Sequence, residues 1–325
     1  MVVLALRRLT QTAAVLAVAC VLAFAMAKNA GDPVAQMLGN SATTQDQADL
    51  RHRLGLDRPA VEQMWRYASS MATGDFGISY QYGRPVLALV AERIPATAEL
   101  SIVAGVLSLL IALPLGMFAA EKPDTFAARA GMAFASIGVS LPTFMLGTLA
   151  VIFLAGRWRL FPSFGRGEVI DLGFWSTGLL TASGWRSITL PACTLALFQA
   201  ATIAKIVRAE ALAAYAAPHI VAARARGLPK AVVRRHVART ITVPVATVTA
   251  VQFGIIVAYA IVTESVFQWP GLGSLLIGAV RSADVPVLAA YVVLAAGFFT
   301  AMSFVVDVLQ IRLDPRVRDA AETMP

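Results

Sequence analysis

Six separated runs of about 20 mostly apolar residues dominate this sequence, and few folds can accommodate them. Within a bilayer's hydrocarbon core, every backbone N–H and C=O needs a partner inside the protein, so runs of this kind cross as helices. They fall at Leu9–Ala27, Ala96–Ala119, Ala130–Ala155, Ile188–Val207, Ile241–Val262 and Pro286–Ile311. The expectation is an all-α membrane protein with six transmembrane helices, in which residues 1–325 make one domain. Pro114 is expected to kink the second span, and Pro142 to sit inside the third. Only 14% of residues are charged, against about 25% in soluble domains, and the mean hydropathy is +0.70.

Arg7 and Arg8 precede the first run, which ends near Ala25-Met26-Ala27. That pattern also fits a signal peptide. The run is long for one and five more follow, so an uncleaved first helix is expected. Residues 28–95 form a polar insertion with seven basic and seven acidic side chains. Such balance fits an extracytoplasmic loop, because long loops cross largely regardless of charge. Two soluble helices are expected there, at Thr44–Leu54 and Val61–Thr73. A turn at Gly74-Asp75-Phe76-Gly77 follows, then a short helix, Pro85–Ile94, that Pro95 ends. Residues 156–187 form a second external segment. Its Trp158, Phe161, Phe164, Phe174, Trp175 and Trp185 suit a membrane–water interface.

Charge sets the orientation. From Lys205 to Arg239 there are eight Lys and Arg against one acid, Glu210, and the tail adds Arg312, Arg316 and Arg318. Basic loops stay in the cytoplasm, which places both termini there and makes residues 208–240 a cytoplasmic loop. The net charge of +8 has the same origin. No basic tract interleaved with aromatics lies outside the membrane-flanking segments, so no nucleic-acid partner is expected.

Signals for chemistry are sparse. His52, His219 and His236 form no HExxH and have no carboxylate at metal-ligand spacing, so no metal site is expected. Cys20 and Cys193 lie in apolar runs and read as small apolar residues. There is no GxSxG and no GxxxxGK[ST], so any ATP-driven work falls to another polypeptide. Ionisable groups near the spans, namely Glu99, Lys205, Glu264 and Asp307, sit at span ends, where interfacial anchoring is cheap. An ion-coupled pump places such groups deep in the bundle, which weighs against a stand-alone secondary transporter. Missing His or acid pairs weigh against an intramembrane enzyme. Polar groups on apolar spans are Gln199 on the fourth, and Gln252, Tyr259, Thr263 and Glu264 on the fifth. Each either lines a pathway or bonds helix to helix.

The segment Pro218–Pro244 carries the sharpest signal. A short helix at His219–Arg226 ends at Gly227 as a C-cap. Leu228-Pro229 then starts another, Lys230–Thr240, with Pro229 at a position that a helix start tolerates. Ala222, Ala223 and Ala225 leave a smooth face between Arg224 and Arg226, fit for a groove on a partner. A basic amphipathic helix on anionic lipid is the alternative. Two short helices broken at Gly-Leu-Pro favour a docking element.

The block Ala222-Ala223-Arg224-Ala225-Arg226-Gly227-Leu228 resembles the cytoplasmic EAA loop of bacterial ABC importer permeases, in the "TARAKGL" form of dipeptide, oligopeptide and nickel permeases. Glu264-Ser265-Val266-Phe267-Gln268-Trp269-Pro270-Gly271-Leu272-Gly273 is similar to that family's "ETVFxWPGLG". Leu313-Asp314-Pro315-Arg316-Val317-Arg318 is similar to its "LDPRxR" ending. Gly31-Asp32-Pro33, and Gly74-Asp75-Phe76-Gly77-Ile78-Ser79 with Arg84-Pro85-Val86, resemble its external segment. Val221 stands where the general EAA pattern has Glu, an acid that the peptide-type subgroup often lacks as well.

The resemblance implies a type I importer permease in the inner membrane, the first (B-type) of two unlike permease subunits. Its partners would be a second permease, two ATPase subunits that bind ATP and Mg, an extracytoplasmic solute-binding protein, and membrane lipid. The substrate would be a dipeptide, a longer peptide, nickel or another small solute. Tyr215–Lys230 would be the coupling element, with Ala222, Ala223, Arg224, Arg226, Gly227 and Leu228 at the ATPase contact. The chain would do no covalent chemistry and carry no cofactor.

Overall fold

The structure, a computed structural model, describes residues 2–29, 34, 43–54 and 57–313. The Gly31-Asp32-Pro33 motif and the tail motif beyond Leu313 lie outside the described residues. The helices in chain order are α1 (Val2–Asn29), α2 (Thr44–Leu54), α3 (Ala60–Ala72), α4 (Val86–Glu121), α5 (Phe126–Ser140), α6 (Thr143–Ala150), α7 (Ala182–Ala216), α8 (Pro218–Ala225), α9 (Lys230–Val266), α10 (Leu272–Arg281) and α11 (Val285–Leu313). A π-helix, Val151–Arg157, extends α6. A small antiparallel pair joins β1 (Ile170–Asp171) to β2 (Ser176–Thr177).

Among the described residues, α4, α7, α9 and the Val285–Val306 part of α11 are each long and apolar enough to cross a membrane. The bent pair of α5 with α6 and its π-helix makes a fifth candidate span, and Thr10–Met26 of α1 is a shorter apolar stretch.

Two proline positions depart from the sequence reading. Pro95 ends nothing: α4 runs through both Pro95 and Pro114. A mid-helix proline costs about 3 kcal/mol. Here Ala96, Leu100 and Ala104 pack with Ile188, Ala192, Leu195, Ile256 and Ala260 in one buried cluster, and tertiary packing of this kind decides helix survival more than propensity does. Pro142, by contrast, breaks the third run. Leu141 is extended (φ −93°, ψ 134°) and Pro142 caps α6, as expected of a residue that precedes proline. The fourth and fifth runs grow at their polar ends. Thr181 caps α7 by accepting from the Gly184 N–H, so residues 182–187 are helical. The basic helix at 230–240 continues without interruption through Pro244 as α9.

The chain forms two compact units. One comprises Met1–Arg93 with Leu275–Ala301, and the other Ile94–Ser274 with the chain from Met302. In the larger unit α7 is the hub and packs on α9, α5 and α6. Its core is built from small side chains, among them Ala200, Ala204, Val207 and Ala211. Helices approach closely there: a Cβ on Gly116 of α4 would stand 2.7 Å from Val207 Cβ. Ile102, Val106 and Leu110 expose an apolar stripe at four-residue spacing on α4, as a lipid-facing surface requires.

In the smaller unit, α1 packs against α3. Asp284, in the turn before α11, is fully buried. It accepts from Ser79 Oγ and from the Tyr80 and Gln81 N–H groups at 3.2 Å each. Burial and this carboxylate push the Tyr80 phenol up. The Gly74–Val86 turn is thereby fastened to the helix α10–α11 corner.

Candidate functional site

The Glu264–Gly273 motif forms a closed hydrogen-bonded device. Glu264 lies in the last turn of α9 with 0% exposure. Its carboxylate accepts from Thr97 Oγ1 at 2.6 Å, from the Gly273 N–H at 2.7 Å and from the Ser274 N–H at 3.1 Å. Thr97 Oγ1 in turn accepts from the Leu272 N–H at 2.8 Å. The first amides of a helix have no intrahelical acceptor and carry the positive end of its dipole. One carboxylate and one hydroxyl therefore satisfy the first three amides of α10. Trp269 is buried and donates from Nε1 to the Ala96 carbonyl at 2.9 Å. Gly271 has to be glycine, because a Cβ there would collide with the Glu264 carboxylate; one on Gly273 would strike the Ile261 backbone.

A second buried charge system lies beside it. Glu99 (3% exposed) meets Arg166 Nη2 at 2.7 Å. Arg166 also donates to the Ser176 carbonyl at 2.6 Å and to its hydroxyl at 3.0 Å. Trp175 Nε1 and the Gly178 N–H reach Glu99 at 3.4 Å each. Sequence reading gave the 156–187 segment an external place but no role, made Glu99 an interfacial anchor, and held Glu264 as an anchor or as a pathway or helix-to-helix group. Both carboxylates are buried and fully engaged. Arg166, the residue that organises that segment, sits in a polar stretch with no flanking motif. Lys205 is exposed, as an anchor would be.

The other polar residues of the spans divide. Gln252 Nε2 donates to Gln199 Oε1 at 2.9 Å, and Gln199 Nε2 donates to the Gln252 carbonyl at 2.7 Å. Both are buried and cross-link α7 to α9. Thr263 is buried and bonds back to the Tyr259 carbonyl. Tyr259 is 40% exposed and packs against Phe198 with the rings tilted by 45° and their centres 4.8 Å apart. Gln199→Leu should cost about 1–2 kcal/mol, since it leaves the Gln252 amide buried without its acceptor. Thermal unfolding of the single and double leucine variants measures that cost, and the double should recover part of it.

The basic loop forms as two helices meeting at a tight cap. Pro218 starts α8 at its first position, where a missing N–H is harmless. Ile220 is buried and seats α8 in the cluster made by Ala211, Ala214, Val233 and Val237. At the other end, the Gly227 N–H donates to the Arg224 carbonyl at 2.9 Å, and the Leu228 N–H to the Ala223 carbonyl at 3.3 Å. With Gly227 at φ +76°, this is a Schellman cap. Ala222, Arg224, Arg226, Gly227 and Leu228 are exposed and Ala223 is half-buried. The Arg224 guanidinium stands 4.8 Å over the Tyr215 ring, an arrangement that restrains it by cation–π attraction.

These elements are those of an integral-membrane protein, with several helices long and apolar enough to cross a bilayer. Residues 112–319 match the family described as binding-protein-dependent transport system inner membrane component, and residues 1–101 match its N-terminal family. The chain belongs to that family and is an ABC importer permease of the inner membrane. It is 33% identical over 315 residues to the "Probable peptide ABC transporter permease protein y4tP" of Sinorhizobium fredii, covering 96% of this chain and 98% of that one. It is 34% identical over 289 residues to the glutathione transport system permease protein GsiC of Escherichia coli K12, covering 89% of each. Among solved structures, an inward-facing MetNI methionine ABC transporter aligns with a TM-score of 0.49 at 20% identity, over 69% of this chain and 97% of that one.

Proposed function

We propose that this chain is the first, B-type permease subunit of an ATP-driven importer for dipeptides or longer peptides. It crosses the membrane six times with both termini in the cytoplasm, and residues 28–95 are extracytoplasmic. It pairs with a second permease, two ATPase subunits and a solute-binding protein. ATP and Mg belong to the ATPases. Relatives named for peptide and for glutathione, itself a peptide, support this substrate class over nickel. Gln199, Gln252, Tyr259, Thr263 and Glu264 are the pathway candidates, and Tyr259 is the one exposed in this conformation.

The observation that carries the proposal is the exposed helix α8, held at both ends and bearing Ala222, Ala223, Arg224, Arg226, Gly227 and Leu228. A short rigid knuckle rooted by Ile220 between two spans transmits a push from a partner into α7 and α9. Rigid-body motion of that kind shifts a two-state gate.

The test is mutation of the cap. Gly227→Ala meets no atom within 4 Å, so its cost is conformational, about 1–2 kcal/mol. Gly227→Pro forces φ to about −65° and removes the bond to Arg224. Gly227→Pro and Arg224→Glu should insert normally, lose ATPase co-purification and abolish peptide uptake, while Gly227→Ala should retain most of both. If ATPase binding and uptake survive Gly227→Pro and Arg224→Glu, the docking assignment fails.

A further inference from the structure

Helix α3 was expected to be a soluble element of the polar insertion, but its surface does not fit that role. Val61 and Trp65, one turn apart on the same face, are 77% and 74% exposed, and Met64 beside them is exposed as well. No residue of α3 is buried. The flank beside it is polar and tied by ions, with Glu62 taking Arg58 and Arg66 at i,i+4 spacing.

The far face holds α3 against α1. Tyr67 packs its ring on Phe24 of α1, with centroids 5.7 Å apart. Its hydroxyl is buried without a hydrogen-bond partner, and burial together with the Cys20 thiol and Tyr80 pushes its phenol up. Phe24 lies inside the apolar Thr10–Met26 stretch, about 7.5 Å along the axis from the Asn29 end of α1. Trp65 is two residues from Tyr67, about 3 Å along α3. The exposed Val61–Trp65 face is therefore carried on a helix held against the apolar stretch of α1 by the Tyr67–Phe24 contact. On α1 itself, Val18, Leu22 and Met26 are exposed at four-residue spacing, an apolar stripe on the side turned away from the Phe24 contact.

We propose that α3 is an interfacial helix whose Val61–Trp65 face lies in bilayer lipid at the Asn29 end of α1. Tryptophan favours the headgroup–acyl boundary, and a helix with one apolar and one charged face lies in that plane. The arginines of the polar face are placed to meet phosphate. This reading needs only that α1 enters the membrane, and it holds whatever solute the transporter carries.

Spin labels test it on the full chain in nanodiscs of phosphatidylethanolamine and phosphatidylglycerol. They are introduced by Val61→Cys, Trp65→Cys and, on the polar face, Arg66→Cys, in a Cys20→Ala, Cys193→Ala background. Collision with oxygen relative to a water-soluble nickel chelate should be several-fold higher at 61 and 65 than at 66. Equal, chelate-dominated collision at all three sites overturns the proposal in favour of an aqueous helix. Immobilised labels shielded from both probes at 61 and 65 overturn it in favour of a protein partner. A second measurement needs no cysteine: brominated lipids should quench the native protein's fluorescence more than that of Trp65→Phe. Identical fractional quenching of the two overturns the proposal as well.

Discussion

Glu264→Ala is expected to destabilise the protein by about 3–5 kcal/mol and to abolish uptake. The carboxylate is the shared acceptor for the Thr97 hydroxyl and the Gly273 and Ser274 amides. Removing it leaves three buried donors without a partner, each worth about 1–3 kcal/mol when orphaned. It also takes a negative charge from the positive end of α10. Glu264→Gln should rescue only part of the loss, because one amide oxygen accepts while the amide NH₂ faces further donors. Gly271→Ala should approach the same phenotype from the other side, since its methyl group occupies the carboxylate's position. Thermal unfolding in nanodiscs and peptide uptake in reconstituted vesicles measure both consequences. Wild-type stability in Glu264→Ala would show that the clamp contributes nothing.

What the sequence revealed and what it hid follow one division. Local patterns were readable. The Thr44–Leu54 helix, the α3 boundaries within a residue, and the Gly227 cap all depend on residues within one turn of each other. The glycines of the Glu264–Gly273 block were visible as a motif, but their reasons were not: Gly271 leaves room for a carboxylate seven residues away, and Gly273 for the Ile261 backbone. Glu99 looked like an interfacial anchor because its partner Arg166 lies 67 residues on. Asp284 drew no attention, since Ser79, Tyr80 and Gln81 are some 200 residues away. Prolines show the limit most plainly. Pro95 and Pro142 carry the same local penalty, yet one is absorbed in a packed helix and the other breaks its run. The residues after Pro95 pack on α7 and α9, neighbours that no window on the sequence contains.

Arg166→Met is expected to cost about 3–5 kcal/mol, because it strands the Glu99 charge where water does not reach. The loss should appear as detachment of the 156–187 segment: Arg166 is what ties Ser176 to Glu99, and the Gly165 N–H bonds the Phe267 carbonyl of the neighbouring motif. Glu99→Leu alone should be comparably damaging, leaving a buried guanidinium whose Nε already lacks a partner. Combining Arg166→Met with Glu99→Leu should restore much of the stability, since an apolar pair of similar volume often matches a buried ion pair. The double-mutant cycle separates two roles. If the double variant regains both folding and uptake, the pair is a fastener. If it regains stability but not uptake, the charges act in the transport cycle itself. Near-additive losses in the cycle would mean that the two side chains do not depend on each other, contrary to the 2.7 Å contact between them.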